Sequence, residues 1–369
     1  MSVAGPLSIV IAGGGTGGHL YPGIAVAREI VRRAPDARVS FAGTARGLEA
    51  RVVPREGFEL DVIRSAGLKG KSIGSRLRGA ALILPGLVDA WRIVSRRRPA
   101  VVIGVGGYSS GPVVLVASLR RVPTLVLEQN AVPGLTNRLL ARVVRAAAVT
   151  YEETLSYFRG RGFVSGNPVR PEFLSASELQ MSIGAEPRAP RVLILGGSQG
   201  AHAINMAMVE AAPELVRRRP DLEVVHQTGA HDLVAVREAY RSAGVAARAE
   251  SFVDPVVGEM RAADLVICRA GATTLAELAA LGRPALLVPF PAASDDHQRK
   301  NARVLAAGGA ADVLDQQALS GATLVDAVEK LMGDRSRLAA MSVAMRGFAR
   351  PDAAANIVDR VIELASGAA

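Results

Sequence analysis

The sequence predicts an α/β protein built as two Rossmann-like domains, each with a parallel sheet and each opening on a glycine-rich turn. Three observations carry this. Residues 7–12 form a short apolar run rich in β-branched side chains, as in a strand covered on both faces of a parallel sheet. Seven residues follow, Gly13-Gly14-Gly15-Thr16-Gly17-Gly18-His19, and then residues 22–30, whose pattern reads as a helix. The same order recurs later: residues 192–195 run into Gly196-Gly197-Ser198-Gln199-Gly200-Ala201-His202, which lies on the first turn without a gap, His202 falling on His19. At 369 residues the chain has room for two domains of ordinary size, each with its own core.

Each turn suits an anion. Glycine tolerates backbone angles that a side chain forbids, and its missing side chain lets backbone N–H groups approach an anion at the positive end of the following helix. Five glycines in the six positions 13–18 exceed what a tight βα turn needs for packing alone.

The first half alternates strand and helix. Residues 38–44 predict the second strand. Residues 100–105 predict another, running into a further glycine turn, Gly106-Gly107-Tyr108-Ser109-Ser110-Gly111-Pro112, with a helix over 113–119. Residues 123–127 return as a strand ending in Glu128-Gln129-Asn130. Such alternation gives a parallel sheet with helices on both faces, and ligands of such sheets lie beyond the strands' carboxyl ends. His19, Tyr108, Glu128 and Asn130 all fall at such ends and are expected to converge. The stretch Gly166-Asn167-Pro168-Val169-Arg170-Pro171 breaks the alternation and a polar segment follows, which places the domain boundary here: residues 1–166, then 167–350. In the second half, residues 223–227, 264–268 and 284–289 predict strands, 269–274 a turn and 275–281 a helix. Residues 352–366 close the chain as a helix, with Asp352 as its cap, Gly367 as its stop, and Ile357, Val358, Val361 and Ile362 as its apolar stripe.

Composition narrows the partners. With 49% hydrophobic and 21% charged residues the chain is globular. The single cysteine, Cys268, excludes an intrachain disulfide; it lies in a predicted buried strand with no activating group recognisable in the sequence. No basic leader precedes the first apolar run, and no apolar segment reaches the roughly 20 residues that span a bilayer, so a cytoplasmic protein, soluble or peripheral, is expected. The net charge of +10 predicts anionic partners: phosphates, acidic lipids or nucleic acid. Aromatic content of 4% and the lack of a recognition motif set nucleic acid aside. One segment departs from the α/β pattern. Leu68-Lys69-Gly70-Lys71, Arg76 and Arg78 precede the apolar residues 80–87, then come Trp91, the only tryptophan, and Arg96-Arg97-Arg98. Apolar residues flanked by cations suit an anionic membrane surface, with Leu82, Ile83 and Trp91 as the contact; an ordinary amphipathic helix with solvated arginines is the other reading.

Gly13-x-Gly15-x-x-Gly18 matches the dinucleotide fingerprint, which expects an acid at the end of the second strand to hold a ribose. That end reads Phe41-Ala42-Gly43-Thr44, and its counterpart in the second half Gln227-Thr228-Gly229, without an acid in either. A nicotinamide-dependent dehydrogenase is therefore the runner-up, and a non-catalytic lipid-binding scaffold the third reading. No Walker lysine follows either turn, which argues against an ATPase. No paired Cys or His spacing points to a metal, no cofactor is expected, and Asp295-Asp296 reads as a loop or helix cap.

Gly14-Gly15-Thr16-Gly17-Gly18-His19, Gly106-Gly107-Tyr108-Ser109-Ser110-Gly111-Pro112, Glu128-Gln129-Asn130, Gly166-Asn167-Pro168-Val169-Arg170, Gly196-Gly197-Ser198-Gln199-Gly200 and Asp296-His297-Gln298-x-x-Asn301-Ala302 together resemble the MurG family within glycosyltransferase family 28, the bacterial N-acetylglucosaminyltransferases of peptidoglycan synthesis. The motifs follow in family order. The resemblance implies the GT-B fold, two Rossmann-like parallel-sheet domains facing a cleft, with the closing helix packed back on the first. It implies transfer of N-acetylglucosamine from UDP-N-acetylglucosamine to the 4-hydroxyl of the muramoyl sugar of lipid I, with inversion, giving lipid II and UDP at the cytoplasmic face of the cell membrane. A role in cell shape and division follows, with cell-wall or division-complex proteins as further partners. Donor contacts are implied at Thr16, Gly17, Gly18, Asn130, Arg170, Ser198, Val253, Ala272, Thr273, Thr274, Leu275, Glu277 and Gln298. Glu277 would hold the ribose hydroxyls, Val253 would offer backbone groups to uracil, and Gln298 and Asn301 would face the donor sugar. Acceptor contacts are implied at Gly14, Gly15, Tyr108 and Asn130. His19 and Glu128 stand as rivals for the general base. The second glycine turn, with Ser198 and the helix behind it, would stabilise the departing diphosphate.

Overall fold

The computed structural model describes residues 6–65, 83–174, 189–197 and 200–367. Contacts divide the chain into two units, Met1–Arg170 with Arg350–Ala369, and Pro171–Ala349.

In the first unit, β1 (Ser8–Gly13), β2 (Arg38–Gly43), β3 (Glu59–Val62), β4 (Val101–Gly106), β5 (Thr124–Glu128), β6 (Ala146–Val149) and β7 (Gly162–Val164) form a parallel sheet in the order 3-2-1-4-5-6-7. The connections carry α1 (Gly17–Arg33), α2 (Glu49–Arg55), α3 (Ile83–Arg97), α4 (Ser110–Leu119) and α5 (Leu135–Leu140). Alternate residues of a strand face opposite sides, so β1 feeds two cores. Ile9 and Ile11 pack with Ile24, Ile30 and Phe41, while Val10 and Ala12 pack with Val102, Val113 and Val126. Burial on both faces is why the strand reads as an unbroken apolar run.

The second unit repeats the plan. Here β8 (Arg191–Leu195), β9 (Glu223–Gln227), β10 (Ala247–Glu250), β11 (Leu265–Cys268), β12 (Ala285–Leu287) and β13 (Ala311–Val313) take the order 10-9-8-11-12-13, again all parallel. Its helices are α6 (His202–Arg218), α7 (Leu233–Ala243), α8 (Val256–Ala262), α9 (Ala272–Leu281), α10 (His297–Ala307), α11 (Gly321–Met332) and α12 (Arg335–Gly347). The last helix, α13 (Ala353–Ser366), belongs to the first unit, where Ile357, Val358, Val361 and Leu364 join the core around Ile9 and Ile24.

Several element boundaries differ from the sequence reading for one reason. The helices after the glycine turns begin at Gly17, Ser110 and Ala272, three to five residues ahead of Pro22, Val113 and Leu275. Apolar periodicity starts only where a helix first meets the core, and the turn before that point carries Gly, Ser and Thr. In α13 the stripe uses Leu364 in place of Ile362, which is exposed. Asp352 occupies the cap position without a side-chain capping bond, and Gly367 ends the helix at φ 72°. Asp295 and Asp296 both adopt left-handed backbone ahead of α10. Cys268 is buried, and burial pushes its thiol pKa up to about 12.

Candidate active-site residues at the two switch points

Strand order reverses between β1 and β4 in the first sheet and between β8 and β11 in the second. Ligands of open α/β sheets bind beyond the carboxyl ends at such points. The glycine turns sit there because they follow these strands.

In the first unit the turns after β1 and β4 press backbone to backbone. A Cβ on Gly13 would stand 2.5 Å from the Gly106 carbonyl oxygen, and one on Gly107 2.7 Å from that of Gly14. His19, in the first turn of α1, rests its ring on the second turn. A Cβ on Gly106 (φ +97°) would meet His19 Cδ2 at 2.7 Å, so only glycine leaves room for the imidazole there. Its Nδ1 lies 3.2 Å from Thr16 Oγ1. Tyr108 is exposed, with its hydroxyl on the Gly15 side of the same cluster. His19, Thr16, Gly15 and Tyr108 are thus brought together beyond the ends of β1 and β4.

One buried carboxylate organises this cluster, and a second organises the loop after β5. Glu49, at the start of α2, is fully buried. It accepts N–H bonds from Gly15 (2.8 Å) and Thr44 (2.8 Å) and the Thr44 hydroxyl proton (2.8 Å). Gly14, Gly43 and Gly47 surround it so closely that a Cβ on any of them would overlap its side chain. Burial alone would raise its pKa; the Gly15 and Thr44 bonds outweigh that and hold the carboxyl below its ordinary range. The sequence reading missed Glu49. Its signal was an acid set among glycines just after β2, where a ribose-binding acid was sought and not found. It serves the turn instead, and engages the Gly15 N–H that was expected to meet a substrate anion.

Glu128, at the end of β5, is 3% exposed. Its Oε1 accepts from the Asn130 backbone (3.1 Å) and side chain (3.3 Å), its Oε2 from Gly134 N–H (3.1 Å) and Asn137 Nδ2 (2.8 Å). Burial raises its pKa, with these bonds working the other way. A general base needs a lone pair open to the substrate hydroxyl. Both Glu128 oxygens hold Asn130 and its loop, so Glu128 serves as the base only where one of these bonds opens to the substrate hydroxyl. Arg170 lies with its guanidinium 5.0 Å from the Tyr21 ring centroid, and that ring packs on Gly17, where a Cβ would be 3.0 Å away. Tyr21, not singled out in the sequence, thereby links Arg170 to the first turn.

In the second unit Gln227, buried at the end of β9, plays the tying role. Its Nε2 donates to the Gly197 carbonyl (2.8 Å) and its Oε1 accepts from the Val253 N–H (3.0 Å). Val253 is therefore fixed beside the turn with its own N–H engaged. Ser198 lies outside the described residues. Ala272, Thr273 and Thr274 form the first turn of α9, Glu277 follows one turn later at 6% exposure, and Leu275 is buried. Gln298, on α10, accepts the Phe290 N–H through Oε1 (3.0 Å). Asn301 is fully buried and donates to the Ala270 carbonyl (3.2 Å), supporting the turn that leads into α9.

The expected membrane segment is partly described. Leu82 and residues 68–78 lie outside the described residues, as does the Ile83 side chain. On α3, Leu84, Val88 and Trp91 are all exposed, and spacings of four and three residues put them on one face. Exposed Leu119 lies on the partner helix α4, and the Arg120 guanidinium stands 4.6 Å from the Trp91 ring centroid. Among the described residues no helix is long and apolar enough to cross a membrane.

Residues 9–149 match the glycosyltransferase family 28 N-terminal domain and residues 191–357 the family 28 C-terminal domain. A relative from Anaeromyxobacter sp. (strain K), named UDP-N-acetylglucosamine--N-acetylmuramyl-(pentapeptide) pyrophosphoryl-undecaprenol N-acetylglucosamine transferase, is 46% identical over 359 residues, 97% of this chain and 93% of its own length. A Geobacter sulfurreducens protein of the same name is 44% identical over 357 residues, 96% of this chain and 98% of its own. The crystal structure of Acinetobacter baumannii MurG superposes with a TM-score of 0.78 at 30% identity, covering 97% of this chain and all of that one. A UDP-GlcNAc 2-epimerase from Neisseria meningitidis shares the fold alone, at a TM-score of 0.68 and 13% identity. Domain matches over both sheets and identity along nearly the whole length place the chain in the MurG family of glycosyltransferase family 28, with the GT-B fold.

Proposed function

We propose that this chain transfers N-acetylglucosamine from UDP-N-acetylglucosamine to the 4-hydroxyl of the muramoyl sugar of lipid I, releasing lipid II and UDP. The observation that carries this reading is the near-full-length identity to transferases of that name, joined to a glycine turn at the switch point of each sheet. Glu49 also argues against the dehydrogenase. The carboxylate nearest the end of β2 faces the glycine turn and takes its Gly15 N–H, the group a dinucleotide diphosphate would use.

The domain of residues 1–166 with the closing helix serves the acceptor, and that of residues 167–350 the donor. His19 accepts the proton of the attacking hydroxyl, its ring set by Gly106 and Thr16. Thr16, Gly17, Gly18, Asn130 and Arg170 border the reacting centre, with Asn130 oriented by Glu128. The turn containing Ser198 and the amino ends of α6 and α9 offset the charge developing on the departing UDP. Val253 meets uracil, Glu277 the ribose, and Gln298 the donor sugar. The exposed face of α3 rests on the anionic cytoplasmic surface of the cell membrane, where a lipid-linked acceptor resides.

The test is UDP release from UDP-N-acetylglucosamine with and without a short-chain lipid I analogue. Acceptor-dependent release is the expected result. No UDP binding, together with binding of NADH, would overturn the reading.

A further inference from the structure

Two of the chain's five histidines meet at one carboxylate in the second unit, and a third lies behind it across Asn205. Asp232 has both carboxylate oxygens 3.0 Å from His202 Nδ1, and Oδ1 2.7 Å from His231 Nδ1. Behind it stands a buried relay. Asn205 Nδ2 donates to Asp232 Oδ2 (2.8 Å) and to the Thr228 carbonyl (2.8 Å). Asn205 Oδ1 lies 3.0 Å from His226 Nε2, and His226 Nδ1 lies 2.7 Å from the Tyr240 hydroxyl. Asn205, His226 and Tyr240 are at most 2% exposed. In front, the side chains of His202 and His231 are 69% and 88% exposed. A carboxylate held from behind by buried hydrogen bonds and flanked by two accessible imidazoles is the arrangement by which proteins orient metal ligands.

We propose that His202, His231 and Asp232 form a binding site for a divalent transition-metal ion of the zinc type. Two imidazole nitrogens and one carboxylate oxygen, with water completing the shell, are a zinc-type donor set. One ligand atom from each residue lies within 4.8 Å of the other two. An ion with ligands at about 2.0–2.1 Å in a tetrahedral shell spaces those ligands about 3.3 Å apart. The pairs at 2.7 and 3.0 Å need open by only a few tenths of an ångström, and exposed imidazoles have that freedom. On binding, each neutral imidazole takes the tautomer with its proton on Nε2, exchanged through solvent, so that the Nδ1 lone pair turns from Asp232 to the ion. No short-range spacing marks this trio, because His202 opens α6 while His231 and Asp232 follow β9; the parallel pairing of β8 with β9 brings the two ends together.

The experiment uses the full chain with any affinity tag removed, stripped of metal with EDTA and titrated with Zn²⁺ by calorimetry. One equivalent bound per chain is expected, with affinity lowered at least tenfold in His202→Ala and in His231→Ala. Both side chains are exposed, so the variants should unfold at the wild-type temperature without metal, and lose the stabilisation that Zn²⁺ gives the wild type. Co²⁺ should give tetrahedral-type visible absorption in the wild type alone. Saturable binding unchanged in both variants, or no saturable binding to the wild type, overturns the proposal; in either case the triad is a hydrogen-bonded surface cluster only. Neither outcome bears on UDP release, so the site stands or falls apart from the proposed transfer.

Discussion

Glu49 and His19 carry the sharpest residue-level expectations. Glu49→Gln keeps the shape but sets an amide NH₂ against the donors of Gly15 and Thr44. Losing a charged acceptor while its buried donors remain costs about 2 kcal/mol. The first unit should therefore unfold at lower temperature, with a raised KM for the lipid acceptor and little change in UDP affinity. The pH dependence follows from the depressed folded-state pKa. Its stabilising contribution is present above the ordinary carboxylate range and lost as pH falls through the lower folded value, and the Gln variant should lack that acid-side decline. Thermal unfolding across acid pH checks it. For His19→Ala, kcat should drop at least tenfold with donor affinity kept, the loss expected on removing a general base; an unchanged kcat in single-turnover measurements would falsify that role. His19 was legible in the sequence because it ends a glycine motif. Glu49 and Gln227 were not, since their partners are backbone groups distant in sequence and no motif encodes a carboxylate turned inward.

At the scale of elements, strands were easier to read than helix starts. The inner strands announce themselves through apolar runs, but β6 is Ala146-Ala147-Ala148-Val149, whose alanines carry no strand preference, and it was passed over. The helix starts were misplaced because Gly17, Ser110 and the pair Thr273-Thr274 look like turn residues, although they lie in the first turn of a helix. The same logic governs α3. Its periodicity identifies a helix, but only the fold decides which side stays open, and that side carries Leu84, Val88 and Trp91. Replacing all three with serine should abolish sedimentation with anionic vesicles while leaving UDP release in detergent near wild type, because none of them packs in the core. Retained vesicle binding would remove α3 from the membrane contact.

For the whole molecule, the tandem repeat of strand and glycine turn made two domains legible, but the return of the chain end was not encoded in any motif. It follows from where α13 finds apolar surface. Ile357, Val358, Val361 and Leu364 are each at most 4% exposed in the first unit's core, and Arg33 pairs with Asp359 at 2.5 Å. Burying four aliphatic side chains is worth about 1.5–3 kcal/mol each. That sum is comparable with the roughly 5–15 kcal/mol stability of an entire domain. A chain ending at residue 349 should thus lose the first unit's cooperative unfolding transition while the second, Pro171–Ala349, keeps its own. The milder pair Ile357→Ala and Val361→Ala should lower only the first transition, by about 2–5 kcal/mol per site as for buried aliphatic truncations. Hydrogen exchange resolves the two cases: amides of β1 and β4 should lose protection, and those of β8 and β11 should keep it. Equal loss in both sheets would mean that α13 stabilises the chain as one cooperative body and not one unit of it.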